Sequence, residues 1–327
     1  MKAVVCDGVG ANLRFATDHP EPVIPAGGTL IEVTACGVCH SDLHVVDGDF
    51  PSPLPMVLGH EVTGVHDRLG AVMLYAPWGC RTCAQCADGL EQICPDATEA
   101  GLFADGGYAQ RMAVPDEAYL APLDGLDPFD AAPLACGGLT AYRAVDHGLD
   151  VLRARSTGRG EPPRAMVIGA GGLGQYAIRY IRALTDAEVV AVDLDPAKQA
   201  NALEVGAHAS CGPDDDPGDA DVVLDFLGAE STLALAASSV RRRGLVAVAG
   251  LFGGRIPFGL GAVPHEAHFL SSFWGSRAQM DELLDLARRE PAVVGSVAVL
   301  GLSEAQRAHE RLRAGDVRSR LVLNPAN

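Results

Sequence analysis

The chain has 327 residues, 48% of them hydrophobic and 5% aromatic, enough for about two domains with ordinary cores. Its 42 acidic against 25 basic residues leave a formal net charge of −17, which weighs against a nucleic-acid partner because an acidic surface repels phosphate. No apolar run approaches the ~18 to 20 residues a membrane helix needs, and residues 1–14 lack the charged-then-apolar order of a secretory signal, so a cytoplasmic chain with no membrane partner is expected.

In chain order, the first part, to about Cys136, is loop-rich, with strands expected over residues 2–6 and 29–35. The polar, Gly- and Pro-rich stretch 156–164 reads as a surface loop. From Ala165 the texture changes. Residues 165–168 form a short apolar run ending in glycines, a buried strand. Leu173, Ala177, Ile178, Ile181 and Leu184 then recur at helical spacing. Residues 188–192 are a second β-branched strand. A helix over 196–205 has Pro196 just inside its start and Gly206 closing it. The acidic stretch 214–221 reads as a solvated loop. Strands over 221–224 and 245–249 flank a helix near 231–240. A helix over 303–314 and a strand over 320–323 close the chain. Strands alternating with helices predict a parallel sheet with helical crossovers.

Gly169-Ala170-Gly171-Gly172-Leu173-Gly174 fits G-x-G-x-x-G and sits between a predicted strand and a predicted helix. In that context the first glycine makes the tight turn and the second lets backbone approach a pyrophosphate. The third lets helix and strand pack closely, with the helix N-terminus facing the negative charge. Asp193 ends the next strand, nineteen residues after Gly174, where an acid hydrogen-bonds the adenosine ribose and repels a 2′-phosphate. NAD is therefore favoured over NADP.

Cys80, Cys83, Cys86 and Cys94 follow the spacing C-x2-C-x2-C-x7-C. Thiolates at such intervals on one loop can close a tetrahedron around zinc, leaving no open position. An iron–sulfur ligand set is the other reading of the same ligands. Cys39, His60 and Cys136 also look like ligands, although no local spacing unites them and lone buried Cys and His are usually core residues. Cys39-His40-Ser41-Asp42-Leu43-His44 packs a thiol, a hydroxyl, a carboxylate and imidazoles together, and His60 stands in Gly59-His60-Glu61. Two cysteines and one histidine with an open fourth position form a catalytic zinc set.

Taken together, these stretches resemble the zinc-containing medium-chain alcohol dehydrogenase family. The resemblance is carried by Gly37-Val38-Cys39-His40-Ser41-Asp42-Leu43-His44, Gly59-His60-Glu61, the four-cysteine ladder, Cys136-Gly137-Gly138-Leu139-Thr140-Ala141-Tyr142, the glycine loop and Val192-Asp193. Val223-Leu224-Asp225-Phe226-Leu227-Gly228-Ala229 and Phe273-Trp274-Gly275 are further similar to bacterial members acting on secondary or aryl alcohols.

The resemblance implies an α/β chain. A GroES-like β-barrel catalytic domain would take residues 1–138 and 290–327. A Rossmann NAD-binding domain, a doubly wound parallel sheet, would take residues 139–289, with the active site in the cleft. It implies two zinc ions per chain and NAD as cofactors. Cys39, His60 and Cys136 would hold the catalytic zinc, with Glu61 behind it as a transient or outer ligand, while Cys80, Cys83, Cys86 and Cys94 would hold the structural one. Asp42 would orient His60 through its other ring nitrogen. Ser41 would bond the substrate hydroxyl, and His44 would end a proton relay. His40 and Arg318 match positions facing the pyrophosphate, Lys198 one near the adenosine ribose, and Thr140 and Leu251 positions beside the nicotinamide.

The expected activity is hydride transfer between NAD(H) and a small-molecule alcohol or carbonyl, with an apolar or aryl substrate walled by some of Phe50, Tyr75, Trp78, Phe273 and Trp274 or with those rings simply in the core. A biosynthetic reductase of an activated C=C or imine is the alternative on the same fold, and the Ser41–His44 relay weighs against it. Residues 250–258 match the place where family members pair subunits, so a homodimer or homotetramer is expected. Two trims distinguish this chain. Cys80 comes only twenty positions after His60, and 209–220 is short where the family often places an extra helix. Neither removes a ligand.

Overall fold

Strand Thr29–Gly37 is the spine of the N-terminal part of the protein. Ile31 and Ala35 are fully buried while Glu32 between them is exposed, the period-two pattern of a half-buried strand. The computed structural model describes residues 1–156 and 161–327, which fall into two compact units. One comprises Met1–Leu139 with Gly275–Asn327, the other Thr140–Trp274.

In the first unit the main sheet runs Leu120–Pro122, Gly70–Leu74, Glu61–His66, Thr29–Gly37, Arg320–Asn324, Val297–Gly301, with Arg111–Val114 also paired to Thr29–Gly37. A second, three-stranded sheet joins Arg14–Ala16, Ala3–Cys6 and Met56–Val57. Both chain ends share the main sheet, since Val322 faces Gly37 and Leu323 faces Cys36. That pairing delivers Arg320 to the same place as the strand's own end.

The short stretch between His60 and Cys80 folds as a tight hairpin. Glu61–His66 and Gly70–Leu74 pair antiparallel with His66 opposite Gly70, and Gly70 takes a φ of 72°, the left-handed conformation a three-residue turn needs at its end. The ring of His66 completes the turn, its Nδ1 accepting from the Leu69 N–H at 3.2 Å.

The second unit is a six-stranded, all-parallel sheet in the order Ala209–Cys211, Glu188–Val192, Arg164–Ile168, Ala220–Asp225, Val240–Val248, His268–Ser271. Numbered within the unit this is 3-2-1-4-5-6, the doubly wound dinucleotide-binding order. Met166, Ile168, Val192, Val223, Ala236, Val240 and Val246 form its core. Among the described residues no helix separates Cys211 from Ala220.

Several elements differ from the sequence reading. Helix Gly137–Ser156 was not expected. It opens on two glycines and carries a third, Gly148, whose added Cβ would lie 2.7 Å from Val222, so a residue that reads as a helix breaker is a close-packing requirement. Helix Arg277–Arg289, also unexpected, is capped by Ser276 and Gln279 and groups with the first unit. Its Arg277 and Arg288 donate to the carbonyls of Leu120 and Leu123 at 3.1 and 3.3 Å. The division therefore falls at 139/140 and 274/275, against expected boundaries at 138/139 and 289/290. Asp221 is not in a solvated loop. It is 1% exposed, lies 3.3 Å from Arg155 and 3.0 Å from Arg241, and accepts the Arg164 N–H at 3.0 Å. Two arginines far away in sequence make its burial tolerable. Of the loop expected over 156–164, Ser156 closes a helix and Arg164 opens a strand, and residues 157–160 lie outside the described residues. No described helix is long and apolar enough to cross a membrane.

Candidate active site

Cys39, His60, Glu61 and Cys136 bring one ligand atom each to within 4.8 Å of one another. Cys39 is the extended N-cap of helix His40–Asp47, His60 immediately precedes strand Glu61–His66, and Cys136 follows the turn Ala132–Ala135. His60 and Glu61 are fully buried, Cys39 and Cys136 nearly so. Glycines make this crowding possible. Gly59 has a φ of 96°, and a Cβ there would collide with the Tyr108 ring. A Cβ on Gly37 would collide with the Glu61 carboxylate.

The charges in the cluster constrain one another. The Cys136 thiol beside it, with His60, holds Cys39 well below the usual thiol range against the pull of burial. Contact with Cys39 and burial push Cys136 up. Burial raises Glu61 to about 7 in spite of Arg320, whose Nη2 lies 2.5 and 2.7 Å from its two carboxylate oxygens. Two thiols, an imidazole and a carboxylate packed away from water cannot all be ionised unaided. A divalent zinc ion takes two thiolates and a neutral imidazole together, so the donor set fits zinc.

Asp42 meets three partners at once. Its Oδ2 accepts the Cys39 N–H at 2.9 Å, closing a capping box, and its Oδ1 lies 3.2 Å from His60 Nδ1. The same Oδ2 accepts the Tyr108 hydroxyl at 2.9 Å. Ser41 Oγ is 3.9 Å from Cys39 Sγ. His44 turns its Nδ1 to Asp49 Oδ2 at 2.7 Å, and its ring lies 5.4 Å from that of Phe50. His40 is exposed in the first turn of its helix and Arg318 is exposed near the C-terminus. The sequence reading did not single out Arg320, Tyr108, Asp49 or His309. Asp49, five residues beyond His44 at a helix end, carried a local signal. The other three reach the cluster only through sheet pairing and helix packing.

Cys80, Cys83, Cys86 and Cys94 form the second cluster, again within 4.8 Å. Cys83 and Cys94 have sulfurs 3.7 Å apart, far beyond the ~2.05 Å of a disulfide and close to the about 3.8 Å spacing of a tetrahedron with Zn–S bonds of ~2.3 Å. Hydrogen bonds led by the Thr82 hydroxyl lower Cys80 to about 6, which favours the thiolate a metal requires. This set fits zinc with every position filled by protein.

In the second unit the glycine loop follows strand Arg164–Ile168, and Gly171 caps helix Gly172–Leu184. Gly169 takes a φ of 87°. A Cβ on Gly174 would collide with the Gly169 carbonyl, whereas nothing lies within 4 Å of one added at Gly171. The second glycine thus borders open space of the kind a pyrophosphate needs. Asp193 reaches back to this loop, its carboxylate accepting the N–H groups of Ala170 at 2.8 Å and Asp195 at 2.9 Å. Thr140 is buried, Lys198 half-buried, and Leu251 exposed.

Of the aromatic residues considered for a pocket wall, Tyr75 is fully buried and its hydroxyl donates to the Gly275 carbonyl at 2.8 Å, so it is core. Trp274 is also buried, while Phe273 is 41% exposed.

Comparisons with known proteins agree across the chain. Residues 25–125 match the alcohol dehydrogenase GroES-like domain and residues 172–289 the zinc-binding dehydrogenase domain. An alcohol dehydrogenase of Geobacillus stearothermophilus is 33% identical, over 99% of this chain and 98% of that one. An NAD-dependent alcohol dehydrogenase of Sulfolobus acidocaldarius is 30% identical, over 99% of each. The solved alcohol dehydrogenase of Aeropyrum pernix superposes with a TM-score of 0.87 at 28% identity, covering 99% of this chain and 100% of that one. An acetophenone reductase of Geotrichum candidum, solved in complex with NAD, superposes at 0.81 with 29% identity, covering 99% and 96%. With its two domains matched in order and full-length relatives at 30% identity and above, this chain belongs to the zinc-containing medium-chain alcohol dehydrogenase family.

Proposed function

We propose that the chain oxidises an alcohol to its carbonyl, or the reverse, with NAD(H) as the hydride partner, and that its substrate is apolar or aryl. The buried cluster of Cys39, His60, Glu61 and Cys136 carries this reading. Zinc and NAD are the cofactors of the family. Held by Cys39, His60 and Cys136, zinc would supply a Lewis acid that makes an alcohol hydroxyl easier to deprotonate. The rest falls to side chains. Ser41 accepts the substrate's hydroxyl proton and passes it toward His44, and Asp49 holds the His44 ring in place by the bond to Nδ1. Asp42 fixes the ring of His60. Glu61, tied to Arg320, stands behind the ligands as a spare oxygen donor.

In the second unit the loop Gly169, Gly171, Gly172, Leu173 and Gly174 takes the pyrophosphate on helix-terminal N–H groups, and Asp193 takes the adenosine ribose with Lys198 near it. His40 and Arg318 serve the pyrophosphate, Thr140 and Leu251 the nicotinamide. The aryl preference is supported by two structural relatives at 25% identity or more, the acetophenone reductase and a cinnamyl alcohol dehydrogenase of Sorghum bicolor. A cytoplasmic homodimer or homotetramer belongs to the same reading, supported by Phe252 and Phe258, 72% and 74% exposed within the segment expected to pair subunits.

The test is a panel of primary, secondary and benzylic alcohols with NAD, then aldehydes, ketones and enals with NADH. Alcohol and carbonyl turnover is expected, strongest for aryl members. Turnover of enals alone would replace the reading with the C=C reductase. Cys39→Ala should abolish turnover while one zinc per chain remains. Surviving activity would show that Cys39 is not a ligand.

A further inference from the structure

Behind the open cluster, four buried polar side chains run in line from His60 to helix Ala305–Arg313. His60 Nδ1 lies 3.2 Å from Asp42 Oδ1. The Tyr108 hydroxyl lies 2.9 Å from Asp42 Oδ2. His309 Nε2 lies 3.2 Å from that same hydroxyl, and the two rings meet edge-on at 5.9 Å. His60, Asp42 and Tyr108 are fully buried and His309 is 4% exposed.

The direction of the bonds follows from proton counting. A phenol has one proton, and a carboxylate can only accept. Tyr108 therefore donates to Asp42, and its oxygen is left to accept from His309, which must carry its proton on Nε2. Burial pushes His309 below the ordinary histidine range, so the neutral Nε2–H form suffices. The chain of donation runs His309 to Tyr108 to Asp42, whose other oxygen lies 3.2 Å from His60 Nδ1. His60 Nε2 is then the nitrogen that offers a lone pair to a metal. A histidine buried merely to fill volume would carry a desolvation cost with no return, and its neighbours on the buried face, Ala305 and Ala308, are apolar. The same helix is also tied to helix His40–Asp47 at the surface, where Arg313 grips both oxygens of Asp47 at 2.7 Å. The helix that carries Asp42 is thus pinned at an outer and an inner point.

We propose that Tyr108 and His309 are positioning residues for the open metal site, fixing the Asp42 carboxylate and, through it, the ring of His60. The proposal rests on the zinc reading of that cluster. It is tested on the purified, zinc-loaded full chain by chelator competition, which resolves release from the open site from retention at the cysteine ladder. Partners behind a metal's ligands typically affect affinity 10- to 100-fold. Tyr108→Phe and His309→Leu should each weaken open-site affinity about tenfold and leave the ladder's zinc in place. The double variant should be no weaker than Tyr108→Phe, because His309 acts through Tyr108. His309→Gln, which restores an N–H donor, should stay within about threefold of the parent, a small fraction of that range. An open-site affinity unchanged in His309→Leu, a fully additive double variant, a His309→Gln as weak as His309→Leu, or equal metal loss from both sites would each overturn the proposal. A parent chain that binds only one zinc would instead sink the open-site reading and this proposal with it.

Discussion

Asp193 uses both carboxylate oxygens on backbone N–H groups, one in the glycine loop and one in the turn after its own strand. Its charge is therefore held at a fixed spot at the end of the strand, the spot that the proposed cofactor reading gives to the adenosine ribose. Asp193→Asn keeps an oxygen acceptor for the loop and removes the charge. The ratio of kcat/KM for NADP over NAD should rise about tenfold, the size of a single ~1.4 kcal/mol repulsion, and an unchanged ratio would undo the ribose assignment. Residues of this kind were legible because their signal is local: a glycine loop, then an acid one strand later. The cysteine ladder was legible for the same reason. The open site was not. Cys39, His60 and Cys136 come from three separate elements, and only likeness to a known family joined them. Arg320 and His309 stand 259 and 201 residues from their partners Glu61 and Tyr108, and no pattern in the chain announces such a meeting.

At the scale of elements, the glycine loop separates what the fold requires from what a ligand requires. Gly174 faces the Gly169 carbonyl, so its missing side chain is what lets helix Gly172–Leu184 sit against strand Arg164–Ile168. Gly171 faces open space at an ordinary φ of −75°. Gly174→Ala should cost about 2 kcal/mol of stability from overpacking, read as a lower denaturation midpoint. Gly171→Ala should leave stability within about 0.5 kcal/mol, as surface substitutions do, yet weaken NADH binding at least tenfold in a fluorescence titration. Equal effects of the two on stability would mean that the second glycine serves the fold and not the cofactor. The strands of this unit were readable from the sequence because buried parallel strands are short, continuous apolar runs. Helix Gly137–Ser156 was not, because its glycines, of which Gly148 lies close against Val222 of the sheet, hide its period.

Across the whole molecule, stability is unevenly sourced. The second unit has a continuous apolar core under its sheet. The lobe over residues 79–98 has almost none: only Gln92 and Cys94 are buried there, and Ile93 is 45% exposed. So little burial cannot offset the entropy of ordering about twenty residues at ~1 to 2 kcal/mol each. Structural zinc in small peptides contributes ~10 to 16 kcal/mol to folding, and the ladder is the one feature of the lobe that can supply a term of that size. Arg81 reports on the lobe's order. It is held at a φ of 61°, its guanidinium bonded to Asp116 at 2.6 Å and 4.7 Å above the Tyr119 ring, and it is the sole basic residue between Arg68 and Arg111. Cys86→Ser removes one ladder ligand without touching the open cluster. Zinc content should fall from two to one per chain, and tryptic cleavage after Arg81 should accelerate at least tenfold, the ratio that corresponds to only ~1.4 kcal/mol of lost local order. Cleavage within the second unit should keep its parent rate, because that unit has an apolar core of its own, built from Met166, Ile168, Val192, Val223 and Val246. A parent-like cleavage rate at Arg81 after loss of one zinc would show that the lobe is held by its packing on Asp116 and Tyr119 rather than by the metal.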